Sequence, residues 1–288
     1  MTARKTVIFG IALISIIFSI NTVYAKEDYH GVPGEGSAQK GATAVAICSA
    51  CHGLDGNSPS SSYPNLASQK YNYILKQLED FRNGHRQSSV MTGMAMTIPR
   101  SNDHQNMKNI AAYFSSQKLK HAEGANAHPA AATPAELKIG FEVYRYGSSK
   151  ERVPACSACH GLGGEGNDPM AIPSLAGQHA SYVVQQLDQF ASGVRDNSPG
   201  QVMGKIAHAL STKQKVAVAA YMERLNPAAV LGTGVKTYSD YVKEISSNSL
   251  PGIPKSTLNS ASSKLQTEHA KLDSSKSSIS SKKSKIKK

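Results

Sequence analysis

Tryptophan is absent from this 288-residue chain, and the aromatic content is only 6%. Proteins that bind single-stranded nucleic acid stack its bases on aromatic side chains, so this composition gives no support for that kind of binding. The net charge of +12 is also unevenly distributed, since Arg4 and Lys5 contribute +2 and residues 255–288 contribute +7. Residues 26–254 therefore carry only +3. Such a mildly basic body gives no support for nucleic-acid binding.

Long apolar runs are also lacking, except at the N-terminus. Residues 1–25 combine a basic start, the apolar run Val7 to Ile20 and a small-residue cleavage site ending at Ala25, which is typical of a secretory signal peptide. The apolar run is shorter than the roughly 20 residues that span a bilayer. We therefore predict a cleavable signal and a soluble periplasmic protein, with an uncleaved anchor as the alternative.

Cysteine is equally scarce, because all four cysteines fall in two copies of the segment C-S-A-C-H-G. C-x-x-C-H is the attachment motif of a c-type haem. The two thiols lie one helical turn apart and form thioethers with the vinyl groups, and the histidine is the proximal iron ligand. We therefore predict two covalently bound haems. The residues assigned to them are Cys48, Cys51, His52, Cys156, Cys159 and His160.

Other C-x-x-C sites remain as alternatives. Such pairs occur in thioredoxin-like redox proteins, in zinc sites and as local disulfides of exported proteins. The redox hypothesis requires a βαβ pattern around the motif, which this sequence lacks. A Cys₄ zinc site does not require a histidine after each pair, although two pairs can share one metal. Covalent haem is the favoured interpretation.

The two motifs lie in two copies of one helical domain. From Pro64 and Pro173 onward, matching residues keep identical spacing over 22 residues. The predicted fold is therefore all-α, with two tandem haem domains related by duplication. Matching pairs are Tyr73 and Tyr182, Leu78 and Leu187, Phe81 and Phe190, Gly84 and Gly193, and Arg86 and Arg195.

This duplication sets the predicted domain boundaries. Residues 1–25 are the signal, 26–124 the first domain, 125–134 an Ala/Pro-rich linker and 135–226 the second domain. Residues 227–288 form a Ser/Lys-rich tail that cannot bury enough apolar surface to fold, so we expect disorder. The lysines of the tail predict either contact with an anionic membrane or acidic partner, or a passive solubilising role.

Helical patterns are predicted at corresponding places in both copies. Residues 38–47 and 135–146 lead into the two haem motifs, and residues 70–83 form an amphipathic helix. A capping-box pattern predicts that the last helix starts beside Asn102 in the first copy and at Ser211 in the second.

The distal iron ligand decides whether the iron carries electrons or binds small molecules. In the second domain Met203 lies in a stretch expected to be a loop and is the predicted sixth ligand. It precedes Leu210 by seven residues, as Met91 precedes Ile98 in the first domain. Met91 is therefore preferred there. Met94 and Met96 are assigned to packing.

Other marked residues have two interpretations each. Pro64 and Pro173 either present a carbonyl to the ring N–H of the haem histidine or serve only as turn residues. Arg86 and Arg195 either pair with haem propionates or are solvated helix ends.

Histidines and tyrosines outside the motifs are assigned structural positions. His85, His104 and His208 are predicted to be surface or loop residues rather than ligands. Tyr73 and Tyr182 are predicted core residues whose hydroxyl groups reach a polar partner.

Both copies contain a P-x-L-A-x-Q segment, a Y-x-x-x-Q-L-x-x-F helix, a G-x-R ending and a downstream methionine. In these motifs the chain resembles the dihaem cytochrome c4 family over about residues 36–226. The resemblance implies two class I cytochrome c domains that face each other across a pseudo-twofold axis, each with His/Met iron. It also implies electron delivery from a quinol-oxidising membrane complex toward a haem-copper oxidase. Two segments depart from this pattern. One is the longer approach to the last helix of the first domain, residues 99–109, and the other is the tail.

We therefore expect a periplasmic dihaem electron carrier of the respiratory chain that is not an enzyme. The alternatives are a dihaem peroxidase, another haem oxidoreductase, or a haem redox or gas sensor. Each of them requires one open coordination site.

Overall fold

The computed structural model describes residues 35–120 and 132–227, so the predicted signal, most of the predicted linker and the tail from residue 228 lie outside it. Within the described residues the fold is all-α, and extended pairing is limited to two isolated bridges, Ser148 with Val153 and Asn167 with Ile172. No helix in these two ranges is long and apolar enough to cross a membrane. The predicted fold class is confirmed.

The first domain contains five α-helices within its described residues. They are α1 (Ala38–Ala44), α2 (Ala46–His52), α3 (Tyr71–Asn83), α4 (Met91–Thr97) and α5 (Asp103–Ser116). The single helix predicted over 38–47 is wrong, because Val45, at φ −86° and ψ 2°, separates α1 from α2. A 3₁₀ turn, Arg100–Asn102, leads into α5.

The second domain repeats this order. Its helices are α6 (Pro134–Tyr146), α7 (Ser157–His160), α8 (Ala180–Ser192), α9 (Val202–Ala209) and α10 (Thr212–Glu223). A 3₁₀ turn, Pro199–Gln201, precedes α9. The capping box predicted at Ser211 is confirmed, since its hydroxyl accepts from Gln214 N–H and the Gln214 side chain bonds back to Ser211.

The capping box predicted at Asn102 and Gln105 is wrong. Asn102 ends the 3₁₀ turn at φ −156° and ψ 44°, and its side chain makes no cap hydrogen bond. Ser211 instead has the extended backbone, φ −67° and ψ 156°, that turns a side-chain oxygen toward the helix. Gln105 Nε2 donates to the Glu35 carbonyl oxygen at 2.9 Å.

Each domain is built on a close crossing of its first and last helices. A Cβ added to Gly41 of α1 would lie 2.1 Å from the Asn109 carbonyl oxygen of α5. In the second domain a Cβ on Gly140 of α6 would lie 2.2 Å from the Ala217 carbonyl oxygen of α10. Only glycine allows the two backbones to approach so closely. The crossing fixes the frame against which the haem motif is placed.

The buried apolar residues form one core per domain. The first is built on α3 and α5, and its fully buried members include Leu75, Ala111 and Phe114. The second is built on α6, α8 and α10, with Tyr144 and Tyr221 completely buried. Two separate cores agree with a duplicated domain.

Candidate haem-binding sites

Both C-x-x-C-H motifs end a short helix. His52 is the last residue of α2 and His160 the last of α7. Each is followed by a glycine of positive φ, Gly53 at 79° and Gly161 at 83°, which stops the helix.

The first thiol of each motif packs against the core of its domain. Cys48 packs against the first core and Cys156 against the second. All four cysteines are free thiols, so the alternative of two local disulfides is not formed. Within residues 35–120 and 132–227, no group of three or more His, Cys, Asp or Glu side chains is placed to hold a metal ion.

A main-chain carbonyl orients each histidine. His52 Nδ1 donates to the Pro64 carbonyl oxygen at 2.9 Å, and His160 Nδ1 donates to the Pro173 carbonyl oxygen at 2.9 Å. Because a carbonyl can only accept, Nδ1 carries the proton and Nε2 presents its lone pair. The carbonyl role predicted for these two prolines is confirmed.

Burial keeps these imidazoles neutral. His52 is 6% exposed and His160 is 7% exposed. Loss of hydration disfavours the charged ring and lowers the pKa of both histidines below the usual value. A neutral buried imidazole with Nε2 available, next to two thiols one turn apart, fits the donor set of a covalent haem.

Met203, which was predicted to lie in a loop, is on a helix, and so is Met91. Met91 is the first residue of α4 and Met203 the second residue of α9. These helices have only seven and eight residues, too few for a clear helical period in the sequence. Ala95 of α4 and Ala207 of α9 are buried and face the domain interior.

The two methionine helices share a register. Both end in extended backbone, α4 at Ile98 and α9 at Leu210. Met91 and Met203 lie seven residues before these ends. At their starts, Met91 N–H donates to Ser88 Oγ at 3.1 Å, and Met203 N–H donates to the Ser198 hydroxyl at 3.2 Å. The two methionines thus occupy equivalent positions, while their ligation of iron stays a prediction.

The remaining methionines of the first domain differ in exposure. Met96 is 49% exposed, so its predicted packing role is wrong. Met94 is half-buried. In the second domain Met203 packs against the core, as Cys156 does. His85, His104 and His208 are exposed, as predicted.

Arg86 and Arg195 lie in the interface between the domains. The solvated alternative is wrong, because they are only 7% and 6% exposed. Arg86 donates to Gln77 Oε1 in its own domain (2.6 Å) and to Gln186 Oε1 across the interface (2.7 Å). Arg195 donates to the same two oxygens at 3.0 and 2.8 Å.

Two tyrosines complete this reciprocal network. Arg86 donates to the Tyr182 hydroxyl and Arg195 to the Tyr73 hydroxyl, each at 3.1 Å. The polar partner predicted for these hydroxyls is confirmed, but the tyrosines are half-buried between the domains rather than in a core. The repeated tyrosine, glutamine and arginine were visible in the sequence, whereas the crossing of their contacts was not.

The network is not fully symmetric. Lys76 and Asp80 form an ion pair of 2.7 Å in the first domain, where they are 5% and 0% exposed. Asn197 of the second domain donates to the same carboxylate. The corresponding residues of the second domain are the neutral Gln185 and Gln189. The interface therefore places a buried ion pair on one side only.

Two all-α domains, each with a C-x-x-C-H helix and a carbonyl-oriented histidine, define a tandem c-type haem protein. The Cytochrome c family profile matches residues 38–118 and 146–226. Cytochrome c4 of Stutzerimonas stutzeri is 39% identical over 201 residues, covering 66% of this chain and 90% of that protein. The chain belongs to the dihaem cytochrome c4 family and is a dihaem electron-transfer protein with two covalent c-type haems.

Solved structures agree with this assignment. Reduced recombinant cytochrome c4 from Pseudomonas stutzeri has 39% sequence identity and a TM-score of 0.59, covering 66% of this chain and all of that one.

A second relative is the thiosulfate dehydrogenase electron acceptor of Stutzerimonas stutzeri strain A1501. It is 33% identical over 185 residues, covering 64% of this chain and 81% of that protein.

Proposed function

We propose that this protein carries electrons in the periplasm from a quinol-oxidising membrane complex toward a haem-copper oxidase. In this proposal, Cys48 and Cys51 hold one haem and Cys156 and Cys159 the other. The axial pairs are His52 with Met91, and His160 with Met203. The observation that carries the proposal is the equivalent placement, in both domains, of a carbonyl-oriented histidine and a helix-borne methionine.

The bound haem supplies an iron that changes its charge by one electron. The protein residues decide what else that iron can do. A neutral histidine and a methionine thioether would hold the iron from both sides and would raise the reduction potential. The apolar cores against which Cys48 and Cys156 pack limit contact with water. Such a site would pass electrons and would leave no coordination position for a substrate.

Export to the periplasm is supported by the signal pattern of residues 1–25. The relatives named cytochrome c4 support a carrier role. Carbon monoxide titration of the reduced holoprotein tests the proposal. We expect no rapid binding at either haem, whereas stoichiometric binding to one haem would favour the peroxidase, oxidoreductase or sensor hypotheses.

A second candidate donor is thiosulfate dehydrogenase, because a relative named as its electron acceptor is 33% identical to this chain. The two donors are separated by stopped-flow reduction of the oxidised holoprotein. One arm uses thiosulfate dehydrogenase with thiosulfate, and the other uses a quinol-oxidising complex with quinol. Faster reduction by the quinol-oxidising complex supports the respiratory route, and faster reduction by the dehydrogenase supports the second candidate.

A further inference from the structure

We propose that Gln69 and Gln178 are positioning residues that link the haem histidine of each domain to the opposite domain and tune its reduction potential. This inference rests on the proposed ligation of iron by His52 and His160. Each glutamine makes a pair of hydrogen bonds across the interface.

Each glutamine clamps one residue of the other domain. Gln178 Nε2 donates to the Asn65 carbonyl oxygen at 2.9 Å, and Gln178 Oε1 accepts from Asn65 N–H at 2.8 Å. Gln69 does the same to Ser174, at 3.0 and 2.7 Å. Both glutamines are only 6% exposed, so these four bonds are shielded from water. The duplicated sequence thus places two identical clamps in opposite directions.

The clamped N–H belongs to the peptide group that holds the histidine. The Pro64 carbonyl oxygen accepts from His52 Nδ1 at 2.9 Å. The N–H of the same peptide group is that of Asn65, and it donates to Gln178. One amide therefore connects the imidazole of the first domain to a side chain of the second. The opposite connection runs through Gln69, Ser174, Pro173 and His160.

Consecutive hydrogen bonds polarise one another, by about 10–30% per bond. An acceptor at the N–H side of the peptide makes its carbonyl oxygen more negative. That oxygen then attracts the Nδ1–H of the histidine more strongly, and the imidazole becomes a more basic iron ligand. A more basic ligand favours ferric iron and lowers the reduction potential. The effect is crossed, since Gln178 acts on the first haem and Gln69 on the second.

The test compares Gln178→Met and Gln69→Met in the holoprotein, because methionine is similar in length but makes no such bonds. The potential of each haem is followed through the NMR signals of its own methyl groups in partly oxidised samples. Hydrogen exchange of the histidine Nδ1–H is measured in the reduced protein. We expect Gln178→Met to raise the potential of the first haem and to speed exchange at His52, with the second haem unchanged. Gln69→Met is expected to do the reverse.

Two controls separate tuning from a general effect on docking. Gln178→Glu keeps an oxygen facing Asn65 N–H, so the potential of the first haem should not rise. Ser181→Ala removes an exposed interdomain bond to the Ser61 carbonyl oxygen (2.8 Å), which is not part of either clamped peptide. It should leave both potentials unchanged.

Three results would overturn the coupling. The reduction potential could change at the haem of the mutated residue's own domain, it could change equally at both haems, or it could stay unchanged at both. Spectra recorded on the same samples keep this outcome distinct from failure of the proposed function. If both haems retain His/Met coordination while the crossed shifts are missing, only the coupling is wrong. If the wild-type protein lacks histidine ligation, the proposed ligand set is wrong.

Discussion

The two histidines that follow the C-x-x-C pairs are held by main-chain carbonyl groups, not by side chains. The Pro64 and Pro173 oxygens fix the tautomer of His52 and His160. A side-chain acceptor can be lost by mutation, whereas a main-chain oxygen is kept whatever residue is present. The spacing of the prolines suggested this contact but left open the alternative that they are only turn residues. The companion glutamines were missed, because the sequence does not show which domain their side chains face.

Met91 can be tested as the distal ligand of the first haem. Met91→Ala should open one coordination position, so that the reduced variant binds carbon monoxide at one haem per chain. The matched control is Met96→Ala, which removes a methionine of the same helix whose side chain is half exposed. If the Met96 variant binds carbon monoxide, or if the Met91 variant does not, Met91 is not the distal ligand.

At the scale of single elements, the two last helices begin differently although both sequences suggest a capping box. Ser211→Ala should destabilise the protein by about 1 kcal/mol, because a used cap is lost. Asn102→Ala should have almost no effect, since its side chain caps nothing. Chemical denaturation of the oxidised holoprotein measures both. Equal losses for the two variants would contradict the difference between the helix starts.

The glycine crossing of α1 and α5 can be tested within one helix. Gly41→Val places atoms where the Asn109 carbonyl oxygen lies, and it should destabilise the first domain by about 1–3 kcal/mol through overpacking. Ala42→Val adds bulk at the next, exposed residue and should cost only a few tenths of a kcal/mol. Thermal unfolding compares the two variants. A similar melting temperature for both would mean that the crossing adapts easily.

The predicted elements were most accurate where the pattern was long. The helices α3 and α8 have 13 residues each and a repeated apolar face. The sequence located α3 within one residue, and the duplication indicated a matching helix in the second domain. The sequence does not predict the short helices α4 and α9, because one or two turns give no clear period. The break at Val45 was missed for a related reason, since residues 38–52 are helix-forming on both sides of it.

For the whole molecule, duplication predicted two similar domains but not the contacts between them. The interface contains polar side chains that bond both within one domain and across to the other. Gln77 and Gln186 each accept from both arginines. No local pattern specifies the partner in the other domain, because the two interdomain contacts join residues 100 and 118 positions apart in the sequence.

The shared acceptors predict strong coupling between Arg86 and Arg195. Either Arg→Met variant should destabilise the protein, because buried oxygens lose donors. The double variant should depart from the sum of the two single changes by about 0.5–3 kcal/mol, as residues of one network do. A double-mutant cycle in denaturant measures this interaction energy. Simple additivity would show that the two arginines act independently.

The central prediction is that both irons are coordinated on both faces. His52 and Met91 are the predicted ligands in one domain, and His160 and Met203 are the predicted ligands in the other. Electron paramagnetic resonance of the fully oxidised holoprotein tests this most directly, together with Met91→Ala and Met203→Ala. We expect two low-spin ferric signals of equal intensity in the wild type, with each variant altering a different one. A high-spin signal from either haem of the wild type, or one signal altered by both variants, would contradict the account.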